Sequence, residues 1–432
     1  MESYGFLMDV ALILLSTKVL GLITRRLQLP QVVGALLAGL IFGPGVLNII
    51  QPTDFLTSLS EIGVIVIMFS AGMATDVKEL KNAGKSGFLV ALIGVLVPLA
   101  MGALLGFLFS PGETGSNQWL QHVFIGTILT ATSVSITVET LKEIGKLNTK
   151  VGNTILAAAL IDDVLGLIVL TVVTSLAGDS VNVALVLLKI VLFFVFVGVV
   201  AFLGIRLFSW YENRFTKNLR RFPLLAFVLC LLMAFTAEVV FGVADIIGAF
   251  AAGVIVANTP RGAYVESKFQ PLSYLLLTPI FFANIGLKVQ LPEMSWQILL
   301  FAVLLVVVAI LSKLIGCGVG ARICGFTWKE GLQVGVGMAC RGEVALIVAN
   351  RGAAMGLMPD AYFGPVIIMV VCCAVFAPIA LKLAFRSRRG TPETEPATPL
   401  VERFEMADNL GDLSEEEAEQ AAKAHAQNKR KK

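Results

Sequence analysis

Thr154-Ile155-Leu156-Ala157-Ala158-Ala159-Leu160-Ile161-Asp162-Asp163-Val164-Leu165 sets two adjacent carboxylates in the middle of a long apolar run. Taken over 150–177, the run exceeds the ~20 mostly apolar residues that a membrane helix needs. An ionisable side chain at that depth costs about 3 kcal/mol, so it faces a cavity or a partner, and by default marks a functional site. Neighbouring residues on a helix point about 100° apart, so Asp162 and Asp163 need not do the same job. Carboxylate oxygens suit hard cations such as sodium, and a desolvated carboxylic acid exchanges protons near neutral pH. The competing structural reading is a packing pair satisfied by hydroxyls of neighbouring helices.

Working outward, the rest of the chain has the same solvent. Of 432 residues, 57% are hydrophobic and only 15% charged, with a mean hydropathy of +0.86; soluble domains average about 25% charged. The net charge of +3 is uninformative as a sum, because the distribution of charge matters more; membrane lipid is the expected surrounding partner, and no nucleic acid is expected. Six cysteines lie in or beside apolar runs without a CxxC pair, and His122 and His425 are the two histidines. The cysteines read as small apolar fillers, and a histidine-based metal site is set aside. No cofactor is expected. No nucleophile–base constellation appears either, so an enzyme is the weakest reading. Met1-Glu2-Ser3 lacks the basic start of a signal peptide, and the run from Gly5 to Thr24 is too long for its core, so it reads as the first span.

Scanning for ~20-residue apolar stretches predicts thirteen spans, near 5–24, 31–50, 57–75, 86–110, 121–141, 150–177, 182–206, 223–241, 243–258, 270–287, 296–320, 331–351 and 361–385. Basic residues collect after the odd ones: Arg25-Arg26, then Lys78, Lys81 and Lys85, then Lys142, Lys146 and Lys150, and so on to Arg386, Arg388 and Arg389. The even connections carry only Lys288 and Arg351. By the positive-inside rule the N-terminus is outside and the C-terminus cytoplasmic. Residues 1–389 then form the transmembrane domain. Residues 390–432 form a polar cytoplasmic tail in which Ser414 and Glu417 could cap a helix.

Three further features share the membrane interior. Lys313, between Leu311-Ser312 and Leu314-Ile315, is too deep to be only a helix-end anchor; it reads either as a snorkelling lysine or as an ion-pair partner for an aspartate of 150–177. Thr130-Ala131-Thr132-Ser133-Val134-Ser135-Ile136-Thr137 carries five hydroxyls in eight residues, which suits an unwound stretch lining a polar site. Gly335-Val336-Gly337-Met338-Ala339-Cys340-Arg341-Gly342-Glu343 is the second interruption, with Arg341 and Glu343 either a structural pair supporting the core or direct participants. The two interrupted spans are seven apart, an odd shift, which is what inverted repeats require.

These segments, with Pro279-Ile280-Phe281-Phe282 and Pro30-Gln31-Val32-Val33-Gly34, resemble the cation:proton antiporter-2 family, most closely its bacterial sodium/proton antiporter branch. The resemblance covers nearly all of residues 1–385. It implies an all-α, thirteen-helix, inverted-repeat fold in the inner membrane, in which two crossing broken helices sit in a core that moves against a dimer-forming panel. It also implies a homodimer. By the same resemblance, Asp163 is the principal sodium- and proton-binding carboxylate and Asp162 is the ion-pair partner of Lys313. Hydroxyls of Thr130, Thr132 and Ser133, with broken-helix carbonyls, complete the cation shell. The Asp-Asp pair with an intramembrane lysine implies electrogenic sodium/proton exchange. Rival readings are a potassium or low-selectivity cation antiporter, a sodium-coupled organic-anion symporter, and a membrane sensor or scaffold whose charges only hold helices together.

Overall fold

The computed structural model of the chain describes residues 4–26, 29–75, 77–109, 118–177, 183–214, 221–259, 261–288, 295–359 and 362–386. The expected tail helix at Ser414–Gln427 and the side chain of Glu343 lie outside what is described. Among the described residues there are helices and no strand. In chain order they are α1 (Gly5–Arg26), α2 (Gln31–Phe42), α3 (Asp54–Ala74), α4 (Val77–Leu108), α5 (Gln118–Thr130), α6 (Val134–Glu143), α7 (Lys150–Leu176) and α8 (Val183–Arg214). There follow α9 (Arg221–Phe235), α10 (Asp245–Ala257), α11 (Gly262–Leu272), α12 (Thr278–Leu287), α13 (Trp296–Ile323), α14 (Trp328–Gly337), α15 (Glu343–Ala354) and α16 (Phe363–Phe385).

Local sequence explains many of the boundaries. Thr53, Thr149 and Thr327 each accept a backbone N–H of the first turn that follows, at 3.2, 3.1 and 3.3 Å, satisfying donors a helix start leaves over. At Thr327 the cap is reciprocal, because Glu330 accepts the Thr327 N–H at 2.7 Å. Six-residue and five-residue π-helical stretches, Thr236–Phe241 and Ser273–Leu277, continue α9 and link α11 to α12. Neither had a sequence signal, since a single extra residue per turn leaves apolar spacing almost unchanged.

Among the described residues, ten segments are long and apolar enough to cross a membrane. The spans expected at 31–50, 243–258 and 331–351 are not among them. Gly43 leaves α2 in an extended conformation before Pro44, and proline disfavours helix in the residue ahead of it. At 12 residues, α2 is about 18 Å long, short of the ~30 Å hydrocarbon core. α10 is almost as short at 13 residues, and 331–351 is split between α14 and α15. The count of thirteen full-length helices is therefore not met on length. Apolar composition continues through these segments, but regular helix does not.

The helices sort into two bundles. α4, α5, α6, α7, α13, α14, α15 and α16 pack on one another, and α1, α2, α3, α9, α10, α11 and α12 form the second group. α8 runs between them, touching α7 of one and α10 of the other. Inside the second bundle α3 and α10 come close enough that a Cβ at Gly253 would lie 2.1 Å from the Phe69 carbonyl oxygen, the small-residue packing favoured between membrane helices. The bundles meet chiefly through α6 and α16 against α2 and α3. At the end of the molecule that holds the C-terminus of α6, one buried core spans both, joining Val32, Leu36 and Ile67 to Val138, Leu141 and Leu381. Toward the other end each bundle keeps a core of its own, Phe124, Leu305 and Val366 in the first and Ile13, Leu56 and Ile280 in the second.

Candidate functional site

Two broken helices cross in the middle of the first bundle. α5 stops at Thr130 and α6 starts at Val134; α14 stops at Gly337 and α15 starts at Glu343. The hydroxyls of Thr127 and Thr130 donate back to the carbonyls of Val123 and Thr127 at 3.0 and 2.7 Å, the local bonding by which Thr and Ser compete with the helix ladder. At the crossing, Ser133 N–H donates to the Cys340 carbonyl at 3.0 Å. The Thr137 hydroxyl donates to the Gly337 carbonyl at 2.8 Å. A Cβ on Gly342 would lie 2.7 Å from Ser133 Oγ, so only glycine admits this approach. Freed backbone groups of each break are thus satisfied by the other, as the membrane interior demands.

Arg341 locks the crossing. Fully buried, it donates from Nη1 to the Ala131 carbonyl at 2.5 Å and to Thr132 Oγ1 at 3.3 Å, and from Nη2 to the Ala309 carbonyl of α13 at 3.3 Å. Its charge sits at the C-terminal, partially negative end of α5. One broken-helix carbonyl, that of Ala131, is therefore held by Arg341. The arginine was legible as a buried charge; its bond to the opposite break was not, because the two lie 210 residues apart.

Next to the crossing, α7 separates its two carboxylates. Asp162 is 1% exposed and Lys313 of α13 is fully buried, with Nζ donating to Oδ1 at 2.6 Å. Both charges have left water, and their attraction with a short charge-assisted bond offsets that cost. Gly94 of α4 walls this pair, for a Cβ there would lie 3.9 Å from Lys313 Nζ, 4.0 Å from Asp162 Oδ1 and 2.4 Å from Cys317 Sγ. Asp163 lies on the adjoining face of α7 and is half-buried rather than sealed. One turn further along that helix, the Cβ position of Gly166 lies 3.9 Å from Thr130 Oγ1. Thr130 is thereby brought to the α7 side of the crossing, while Thr132 points to Arg341 and Ser133 Oγ lies 3.3 Å from Ser135 Oγ. Chemically this is a second, partly buried carboxylate beside a neutralised, buried ion pair. Among the described residues no group of three or more His, Cys, Asp or Glu side chains gathers to hold a metal ion.

Comparison with known proteins places the whole fold in a known family. The profile of the transmembrane sodium/hydrogen exchanger family matches residues 11–386. The Na(+)/H(+)-K(+) antiporter GerN of Bacillus cereus is 39% identical over 388 residues, spanning 89% of this chain and 97% of that protein. A Na(+)/H(+) antiporter of Enterococcus hirae is 38% identical, spanning 88% and 98%. Among solved structures, the sodium proton antiporter MjNhaP1 of Methanocaldococcus jannaschii superposes with a TM-score of 0.66 over 90% of this chain and 100% of that one. At 19% identity, that likeness speaks for the fold alone.

Proposed function

The chain belongs to the sodium/hydrogen exchanger family, and from that premise we propose that it is a secondary antiporter exchanging sodium for protons across the cell membrane. The family match takes the place of the narrower antiporter-2 label suggested by the motifs. The observation that carries the reading is the half-buried Asp163 set beside the buried Asp162–Lys313 pair at 2.6 Å. In this reading Asp163, with the Thr130 hydroxyl and water, binds sodium or protons in competition. A cation arriving there weakens the attraction that Asp162 exerts on Lys313, and the lysine sheds its proton to the open side. Thr132 belongs to the site through Arg341, Ser133 through the crossing, and Arg341 supports both.

Because both ligands use one carboxylate cluster, the affinity for each falls as the other rises, and alternating exposure of the cluster turns competition into coupled exchange. The Asp162–Lys313 pair adds a second titrating group, which makes the exchange electrogenic. The alternation of basic residues supports an orientation with the C-terminus of α6 on the cytoplasmic side, the N-terminus outside and the 390–432 tail in the cytoplasm. The second bundle, with α1 and α12, is the panel through which two copies pair as a homodimer. A potassium-exchanging form is the second reading, and the name of the Bacillus cereus relative favours it.

Reconstitution into liposomes with a pH dye tests the proposal. Sodium, and to a lesser degree lithium or potassium, is expected to drive proton movement, with a rate that responds to an imposed potential. No cation-dependent proton movement would leave the scaffold and symporter readings, and sodium-dependent uptake of an organic anion would favour the symporter.

A further inference from the structure

α2 has no cap of its own. It starts after Pro30, whose side chain accepts nothing, and the N–H groups of its first turn need acceptors. The acceptor comes from the other bundle: Glu143, the last residue of α6, takes the Gln31 N–H on Oε1 and Oε2 at 2.8 and 2.9 Å. The Val32 N–H lies near the same carboxylate, and Lys382 of α16 and Glu139 of α6 act on it electrostatically. A carboxylate at a helix N-terminus is favoured by the helix dipole as well as by its hydrogen bonds.

The position of this contact gives it a further meaning. It sits at the end of the molecule where the bundles share one buried core, and away from the end where their cores are separate. Behind it α6, α14 and α16 pack closely around Thr137, Thr140, Gly337, Cys340 and Leu381, leaving no room for water. That packed seam reaches the backbone of the broken-helix crossing at Gly337 and Cys340. For the site to be reached from this end, α6 and α16 must part from α2 and α3, and the Glu143 bond to α2 must break.

We propose that Glu143 is a gating latch, an interbundle cap on α2 that holds the α6 end of the antiporter closed and must release for the site to open there. The geometry stands by itself, and its role in transport rests on the exchange reading above. α2 is suited to be the catch because its own sequence offers no substitute acceptor. When the latch opens, water takes the N–H groups at Gln31 and Val32, so release costs little and is reversible.

The test reads opening without relying on transport. Thr140→Cys, a near-isosteric change in a fully buried side chain behind the latch, is made in the full chain. It is then labelled in proteoliposomes by a membrane-impermeant maleimide from the α6 side, with the Thr140 protein as background for the native cysteines. Adding Glu143→Ala is expected to raise the labelling rate about three- to tenfold. Glu143→Gln, which keeps one acceptor oxygen and no charge, should fall between, and Glu143→Asp closest to the parent. Equal rates in all four overturn the latch. Should Glu143→Ala fail to fold, the Gln and Asp forms carry the comparison. Absence of cation-driven proton movement in the unmodified protein would instead overturn the exchange reading and leave the labelling result standing.

Discussion

Asp163→Asn is expected to lower cation-driven proton exchange by about a hundredfold or more, the equivalent of ~2.7 kcal/mol in the transport barrier. Asparagine keeps the shape and one acceptor oxygen but can neither carry a proton across nor balance a sodium charge. Asp163 is half-buried on α7, so an isosteric amide should be accommodated, and the melting temperature in detergent should change by only a few degrees. Dye-reported exchange in proteoliposomes together with that melting curve makes the measurement. Retained exchange with a normal fold would remove Asp163 from the carrier role and pass it to Asp162. Loss of exchange with loss of fold would show a structural charge instead.

The second large effect concerns Lys313. Truncating it to alanine leaves Asp162 buried at 1% exposure with its cation gone, and breaking a buried pair in this way costs about 3–5 kcal/mol. Lys313→Ala is therefore expected to melt well below the parent. The double variant Lys313→Ala/Asp162→Asn should recover most of the loss, because removing both charges leaves neither uncompensated. In transport, the single variant is expected to retain some exchange that no longer responds to an imposed potential, since one titrating group has gone. A voltage response equal to the parent's would take Lys313 out of proton coupling and leave it as a packing charge.

Much of this molecule could be read from its residues because the bilayer prices errors severely. Apolar runs give the helical class, and a charge such as Asp162 or Lys313 at depth can only be paired, hydrated or functional. The hydroxyl run at 130–137 and the glycines at 335–342 pointed to the two interruptions, since only a chain lining a polar interior tolerates them. What escaped was set by geometry between distant segments. The reach of Arg341 to Ala131 and of Glu143 to Gln31 depends on which helices cross, and neither is encoded within a window of sequence. The short length of α2 and α10 escaped for a different reason: hydropathy registers burial and says little about whether a stretch stays helical beyond Gly43 or Gly242. The different surroundings of Asp162 and Asp163 were foreseeable from the 100° turn, whereas the pairing of Asp162 with Lys313 was legible only through the family resemblance and not from the spacing.

α8 ties the two bundles together, and its apolar side chains, among them Leu188, Val191, Phe194, Val199 and Phe202, face away from the protein. Its apolar stretch of 24 residues, Val183–Arg206, is about 36 Å long against a hydrocarbon core of ~30 Å, so it must lean to bury its length. Any vertical displacement of one bundle against the other changes that lean, and every change of lean is opposed or assisted by the lipid around it. Were the two bundles to change relative height during exchange, the thickness of the bilayer would act through α8 as a spring, favouring one height over the other.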